Sequence, residues 1–588
     1  MADDVEPVSP GSSVMGEEAR VETEDESRAS PTVLVRSGET RLVEWVEGLY
    51  QEAKDKRRED ANEEQWETWE SQYWGKMWPD SMPSYKAPIV INEMKMLMLA
   101  EVSDLTDSRL HLYVQKSRTS PQRDEQVEAA LKAYWDRAAV GYQLMLATLD
   151  AMILPCGFIQ SLWDPTSDHG RGQLLTTARD PRGTYIDPNA VDDETWRYVI
   201  LEDVLDLVTV RELWPDQGPR VKADPRWSLG LGTKDTGTRH ARYAGPLYAG
   251  HGTHDEGYSV ARGPVLSVFV YDPKLEEDIQ ERTDPRTGEK TLVSLKKKAY
   301  PKGRLIQVCN RVVLSDGPSH YPTFPLIRVS VDPAPHRFWP PGSIVGGVVD
   351  GYIAANKLDS LVVENALRLN GGKLVADANS GIDPTRQANI PGEVLLKRPG
   401  SEVKIEYPPP MPADMVQAGG RLRQQLRENA LGFMPSRMGT GSRGNVAAEL
   451  TETEISQSMG LSRLRGRMLY LATEKLVRLL LGNMATFYTT PRTIPSIVGG
   501  QWKPVEWQPV ADPEEYTVHV DPASTQVKSK TMLQRLYLAL AKMGRMPTQD
   551  LLNVLEIPDS DAIAKRLQTE LMLMALARGK KGAGGRGR

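Results

Sequence analysis

The sequence predicts an α+β chain of several domains. Three observations carry this. Residues before Gly342 mix helical and strand-like patterns; Gly342 to Thr489 runs helix, short β insert, helix, glycine-rich loop and one very long helix; a small helical segment follows. With 588 residues, 40% of them hydrophobic and 26% charged, the chain has apolar material for several cores.

Taken in order, residues 1–30 hold nine acids against Arg20 and Arg28 among Ser, Pro and Gly, which reads as an acidic disordered tail. Acids stand at Asp3, Asp4 and Glu6 where a signal peptide needs basic and then apolar residues, and no run of about 18 apolar residues occurs, so a cytosolic product without a membrane span is expected. From Arg41 to Pro79 the pattern is helical and rich in tryptophan (Trp45, Trp66, Trp69, Trp74, Trp78). Rings at this density suit docking onto the body or a neighbouring subunit. Ile89 to Leu105 predicts a second helix, His111 to Gln115 a strand, Asp124 to Leu154 one long helix, and Gly157 to Trp163 the start of a sheet. Tyr185 to Pro188 closes a strand into a turn, Trp196 to Trp214 mixes strand and helix, and Asp216 to Gly263 reads as a long surface loop. Strands resume at Val265 to Tyr271 and Arg304 to Leu314.

In the central stretch, Val345, Val348, Val349, Tyr352, Ile353, Leu361, Val362, Ala366 and Leu369 share one helix face, with Ser343 to cap the start and Asn370-Gly371-Gly372 to stop it. Lys373 to Tyr407 has short apolar runs punctuated by Pro384, Pro391-Gly392 and Pro399-Gly400, the signature of a small β unit, and Pro408 to Pro410 end it. A helix follows from about Pro412 to Gly432, then a loop rich in Gly and Met from Phe433 to Asn445. Val446 to Tyr488 reads helical, with bends expected at Gly460, Gly466 and Gly482. Two more helical stretches, Thr525 to Met543 and Thr548 to Leu576, precede a basic tail from Arg578 whose flexible cations suit loose contact with nucleic acid or mere solubility.

That order of elements resembles the portal proteins of tailed double-stranded DNA phages. The residues carrying the resemblance are Gly342-Ser343 with Asn356 and Asn365 downstream, the hairpin-like Pro391-Gly392-Glu393-Val394, and Gly432-Phe433 leading into Gly439 to Asn445. The resemblance is one of pattern over about residues 40–575. It implies a portal-like α+β wing at 36–341 after the tail at 1–35, a stem helix at 342–370, a small β-rich clip at 371–411, a returning stem helix at 412–432, a tunnel loop at 433–446, a long wing helix with strands at 447–523, a helical crown at 524–576 and a flexible basic tail at 577–588. It also implies a ring of identical subunits, a dodecamer, at one capsid vertex of the virion, assembled in the host cytoplasm. Its partners would be the terminase large subunit, tail adaptor or connector proteins, major capsid and scaffold proteins, and double-stranded DNA passing through without sequence specificity. Tunnel-loop candidates are Met434, Arg437, Met438, Arg443 and Asn445. Clip docking falls to Lys373, Arg386, Glu393, Lys397, Arg398 and Lys404, and the stem channel to Lys357, Arg368, Arg421 and Arg427. Arg437 and Arg443 are the only charges between Phe433 and Asn445, enough for weak, sequence-blind phosphate contacts.

Other chemistry reads weakly. Gly439-Thr-Gly441-Ser-Arg-Gly444 matches a dinucleotide fingerprint in letters, but no strand precedes it and no acid follows at the ribose-binding distance. A P-loop motif is absent from the sequence. His251, His254, Asp255 and Glu256 are metal-binding types in an apparent loop without a third partner. Glu449, Glu452 and Glu454 suit a helix N-terminus. Cys156 and Cys309 lie in separate apolar segments and read as buried thiols, a disulfide being the alternative. No enzyme activity, cofactor or metal is therefore expected. Two other readings stand beside the portal: a nucleotide-binding protein or phosphoesterase using the glycine loop, and an adaptor or scaffold module that forms no ring.

Overall fold

The computed structural model describes residues 37–79, 81–83, 86–106, 112–116, 124–224, 261–272, 275–283, 290–370, 373–377, 379–380, 398–406, 411–431, 460–498, 501–510, 515–520, 537–539, 541–543, 566 and 569. The expected acidic and basic tails, the 251–256 histidine cluster, the 433–446 loop, Glu449 to Glu454 and most of the crown lie outside them.

Helix α1 (Ser37–Asp60) leads through a 3-10 turn into α2 (Trp66–Tyr73) and then α3 (Glu93–Thr106). The expected helix at Ile89 starts later, because residues 86–92 run extended along another helix. Strand β1 (Leu112–Gln115) is followed by α4 (Glu125–Arg137) and α5 (Val140–Ile153), not by one long helix. Asp124 caps α4 by accepting from the Gln126 and Val127 amides, and Ala139 breaks the run with φ 49°. The left-handed residue itself is an alanine, with Gly141 two positions on. That conformation costs about 1–2 kcal/mol. The break lets two apolar stripes, Val127, Leu131 and Tyr134 on α4 and Val140, Leu144 and Ala147 on α5, both reach one core.

Beyond α5 the chain is mostly strand. β2 (Gly157–Asp164), β3 (Gln173–Arg179) and β11 (Leu326–Val329) make an antiparallel sheet in the order β11-β2-β3. Gly157 is needed there: a Cβ would lie 1.9 Å from the Ala147 carbonyl oxygen, so only glycine lets α5 close onto β2. The second sheet contains β4 (Thr184–Ile186), β5 (Tyr198–Asp206), β6 (Arg262–Val270), β9 (Arg304–Cys309) and β10 (Val312–Pro318), ordered β10-β9-β6-β5-β4 with every neighbour antiparallel. The single run read at 304–314 is thus a hairpin, turning at Asn310 and Arg311, both at positive φ, as a two-residue turn requires. Helix α6 (Leu207–Leu213) follows β5, and β7 (Leu275–Thr283) and β8 (Lys290–Lys298) form a hairpin of their own.

Helix α1 rests on the five-stranded sheet through Val43, Val46 and Ala53, with Tyr50 and Arg57 making its polar contacts. Arg57, 1% exposed, donates to the carbonyls of Pro181, Arg182 and Thr184, pairs with Glu63 at 2.6 Å and lies over the Tyr185 ring at 4.1 Å. Tyr50 and Tyr185 both donate to Glu202, whose carboxyl burial pushes above its usual range.

The remaining elements are α7 (Ile344–Asn370), β12 (Lys373–Ala376), β13 (Val403–Glu406), α8 (Ala413–Leu431), α9 (Gly460–Phe487), β14 (Arg492–Val498), β15 (Gln501–Trp507) and β16 (Thr517–Val520). α9 is continuous through Gly466 and Gly482 and runs through the main core with Leu469, Leu476, Leu480 and Met484 buried. β16 pairs with β1, so residues some 400 apart in sequence close one ladder. Trp66 and Trp69 sit in the same core, whereas Trp45 and Trp74 are exposed. Both cysteines are buried free thiols. No helix among the described residues is long and apolar enough to cross a membrane.

Candidate assembly surface: the helix pair and its hairpin

α7 and α8 pack side by side, and the chain leaving α7 goes directly into β12, returns along β13 and re-enters α8. The hairpin register is Lys373↔Glu406 through Ala376↔Val403. The helices approach most tightly at Gly419, where a Cβ would lie 3.3 Å from Asp359 Oδ1; a Cβ on Gly351 would make ordinary contact with Leu426 at 3.5 Å. Asp359 in turn pairs with Arg423, one turn along α8 from Gly419. At the other end of α7, a Cβ on Gly346 would lie 2.8 Å from the Trp69 ring, so glycine there admits α2.

The extended residues 86–92 strap this pair to the body. Amides of Ala87, Ile89 and Ile91 donate to Glu364 Oε1 (3.2 Å), Ser360 Oγ (3.2 Å) and Asn356 Oδ1 (3.0 Å). Alternate residues of an extended chain repeat about every 6.6 Å, and every fourth residue of a helix about every 6 Å. The two repeats match over three rungs, with the strap antiparallel to α7. Asn92, at the end of the strap, accepts the Lys95 amide and starts α3. Glu93 then holds α8, with its Oε1 3.3 Å from Arg423 and 3.0 Å from Arg427.

A buried ion pair closes the end of the helix pair opposite the hairpin. Arg465 on α9 (3% exposed) meets Glu101 on α3 (fully buried) at 3.2 Å, Ser462 donates to the same carboxylate, and Arg465 donates to the Ala430 carbonyl at the end of α8. The last turn of α8 and the first of α9 are therefore held at one point, between which residues 432–459 run. Opposite charges with further hydrogen bonds are the arrangement in which a buried pair is tolerated.

The expected stem residues divide. Lys357 and Arg421 are exposed; Arg427 is turned to Glu93; the Arg368 side chain lies outside the described residues. In the insert, Lys404 is exposed beside Glu402, Arg398 is exposed, and Lys373 stands opposite Glu406 in the ladder. Arg386, Glu393 and Lys397, with Met434, Arg437, Met438, Arg443 and Asn445, lie outside the described residues. The polar hubs Glu93, Glu101, Arg423 and Arg465 were not singled out from sequence. Arg423 and Arg427 at i, i+4 spacing were a legible signal of one helix face; nothing local marks Glu101 or Arg465 as partners.

Around this scaffold several large apolar residues remain in solvent: Leu361 and Leu367 on α7, Met415 and Val416 on α8, Leu464 and Leu471 on α9, and Val375 on β12.

No family model and no curated protein matches the chain. A chain from the solved structure described as "Neck of empty GTA particle computed with C6 symmetry" superimposes with a TM-score of 0.32 at 10% identity, over 79% of this chain and 89% of that one. A likeness at that score leaves the function to the chain's own geometry.

Proposed function

We infer that the chain is a ring-forming structural protein of portal type, a conduit for DNA at a capsid vertex and a platform for terminase and tail adaptors, and not an enzyme. The observation that carries this reading is the antiparallel helix pair α7/α8 with a β-hairpin at its tip, strapped to a larger α+β body. Such a pair, repeated around an axis, makes a stiff tube whose far end presents the insert to other proteins. A ring of identical subunits needs heterologous contacts that close. The apolar residues left in solvent on α7, α8 and α9 are of the kind that neighbours in a ring cover. On this reading Lys357 and Arg421 face DNA weakly, and Arg437 and Arg443 constrict the channel.

Negative-stain imaging with native mass spectrometry of the purified chain tests it: closed rings with a central channel are expected, and a monomer at micromolar concentration refutes it. In rings that form, Arg437→Ala with Arg443→Ala is expected to leave assembly intact and to alter retention of packaged DNA. Rings of that variant that hold DNA like the parent but dissociate more readily place both arginines at an interface.

A further inference from the structure

β7 and β8 are each nine residues long and pair over their full length, from Leu275↔Lys298 to Thr283↔Lys290. At about 3.3 Å per residue the hairpin is roughly 30 Å long. Among the described residues neither strand pairs with a third, so each has an open edge. A two-stranded ribbon is marginal in water unless another strand or layer joins it, and an open edge is a template for one. The two edges differ in charge. β7 reads Leu-Glu-Glu-Asp-Ile-Gln-Glu-Arg-Thr, four acids and one arginine; β8 reads Lys-Thr-Leu-Val-Ser-Leu-Lys-Lys-Lys, four lysines and no acid.

We propose that this hairpin is a contact between copies of the chain, the basic β8 edge of one subunit adding to the acidic β7 edge of the next. The proposal rests on the ring reading above and deepens it by naming one surface that closes the ring. Geometry and charge select the same arrangement. Copies turned about a common axis present their hairpins in one sense, so strands follow in the order β7, β8, β7, β8. Since β7 and β8 are antiparallel within a copy, β8 is antiparallel to the next β7 as well. A two-fold pair would instead set β7 against β7 or β8 against β8, like charge against like, which costs several kcal/mol across an interface. Opposite edges favour the head-to-tail contact and disfavour the dimer.

Reversing one edge also changes positions that stand opposite residues of unlike charge in the ladder register, Glu276↔Lys297 and Glu277↔Lys296, so the test uses two complementary variants. One carries Glu276→Lys, Glu277→Lys and Asp278→Lys; the other carries Lys296→Glu, Lys297→Glu and Lys298→Glu. Each alone presents like charge on both edges, and its ring fraction in native mass spectrometry at low salt is expected to fall about tenfold or more. An equimolar mixture restores unlike edges between neighbours while leaving the defect inside each hairpin, and is expected to give rings of alternating subunits. Rings from either variant alone at the parent's level, or a mixture that stays dissociated, overturn the hairpin contact while leaving the ring reading in place. A parent chain that is itself monomeric overturns both.

Discussion

The body and the helix pair balance apolar burial and polar contacts differently. In the body, side chains such as Trp66, Phe158, Leu476 and Met484 are buried in a continuous core, and polar groups such as Arg57 are enclosed by several acceptors. Along α7 and α8, Val345, Val348, Tyr352, Leu426 and Ala430 join that core, and three strap hydrogen bonds, a Glu93 hub and one buried ion pair add to it, while Leu367 stays 60% and Val416 51% exposed. The contrast teaches that apolar burial carries most of the body, whereas the pair adds directed polar contacts to its share of the core; both leave apolar side chains in solvent, Met96 and Tyr142 on the body as well as Leu367 and Val416 on the pair.

The sharpest way to break that contrast is at the buried pair. Glu101→Ala leaves Arg465 with only the half-exposed Asp332, 3.6 Å from its Nε, and the Ala430 carbonyl, and is expected to destabilise by about 3–5 kcal/mol in denaturant unfolding, while Glu101→Leu with Arg465→Leu recovers most of it. A single-variant loss under about 1 kcal/mol would make the pair dispensable.

A second change probes the body. Burial, helped by Asp180 and Glu70 and opposed by Arg182, pushes Asp150 on α5 up to about 7. Because this lies above the unfolded value, the favourable contribution is full below about pH 4 and is lost as pH rises through 7. Asp150→Asn should therefore stabilise by at most about 4 kcal/mol at pH 8 and leave stability at pH 4 nearly unchanged. Equal effects at both pH values would refute the assignment.

The strap comes next: Ser360→Ala removes one rung and should cost about 1 kcal/mol, read as faster amide exchange at Ile89. The smallest effect is expected at Leu367→Ala, within about 0.5 kcal/mol for the separate subunit. In rings it should lower the dissociation threshold, and no change there would remove α7 from the interface.

Much of this was legible in sequence where one physical signal dominates. The α7 face, with Val345, Val348 and Tyr352 at helical spacing, and the turn chemistry around the insert announce themselves locally. The α4/α5 break does not, because Ala138-Ala139 has high helix propensity and only two stripes sharing one core impose the turn. The strap was read as helix because Ile89 and Ile91 continue an apolar pattern, although their amides are satisfied by a helix more than 260 positions away. β7 and β8 went unread because runs of like charge, Glu276 to Asp278 and Lys296 to Lys298, hide the alternation that marks a strand. Among candidate residues, Lys357, Arg421 and Arg427 were reached only through the resemblance, and the capture of Arg427 by Glu93 depends on α3, 334 positions away.

The strap also decides how α7 responds to force. A pull along the helix axis loads the rungs at Asn356, Ser360 and Glu364 in parallel, so all three must give together, whereas a sideways pull opens them one at a time. The helix is thus stiff against sliding and soft against peeling, the anisotropy of a sheared zipper, and thrust delivered at the hairpin end passes along α7 into the body without loosening the pair.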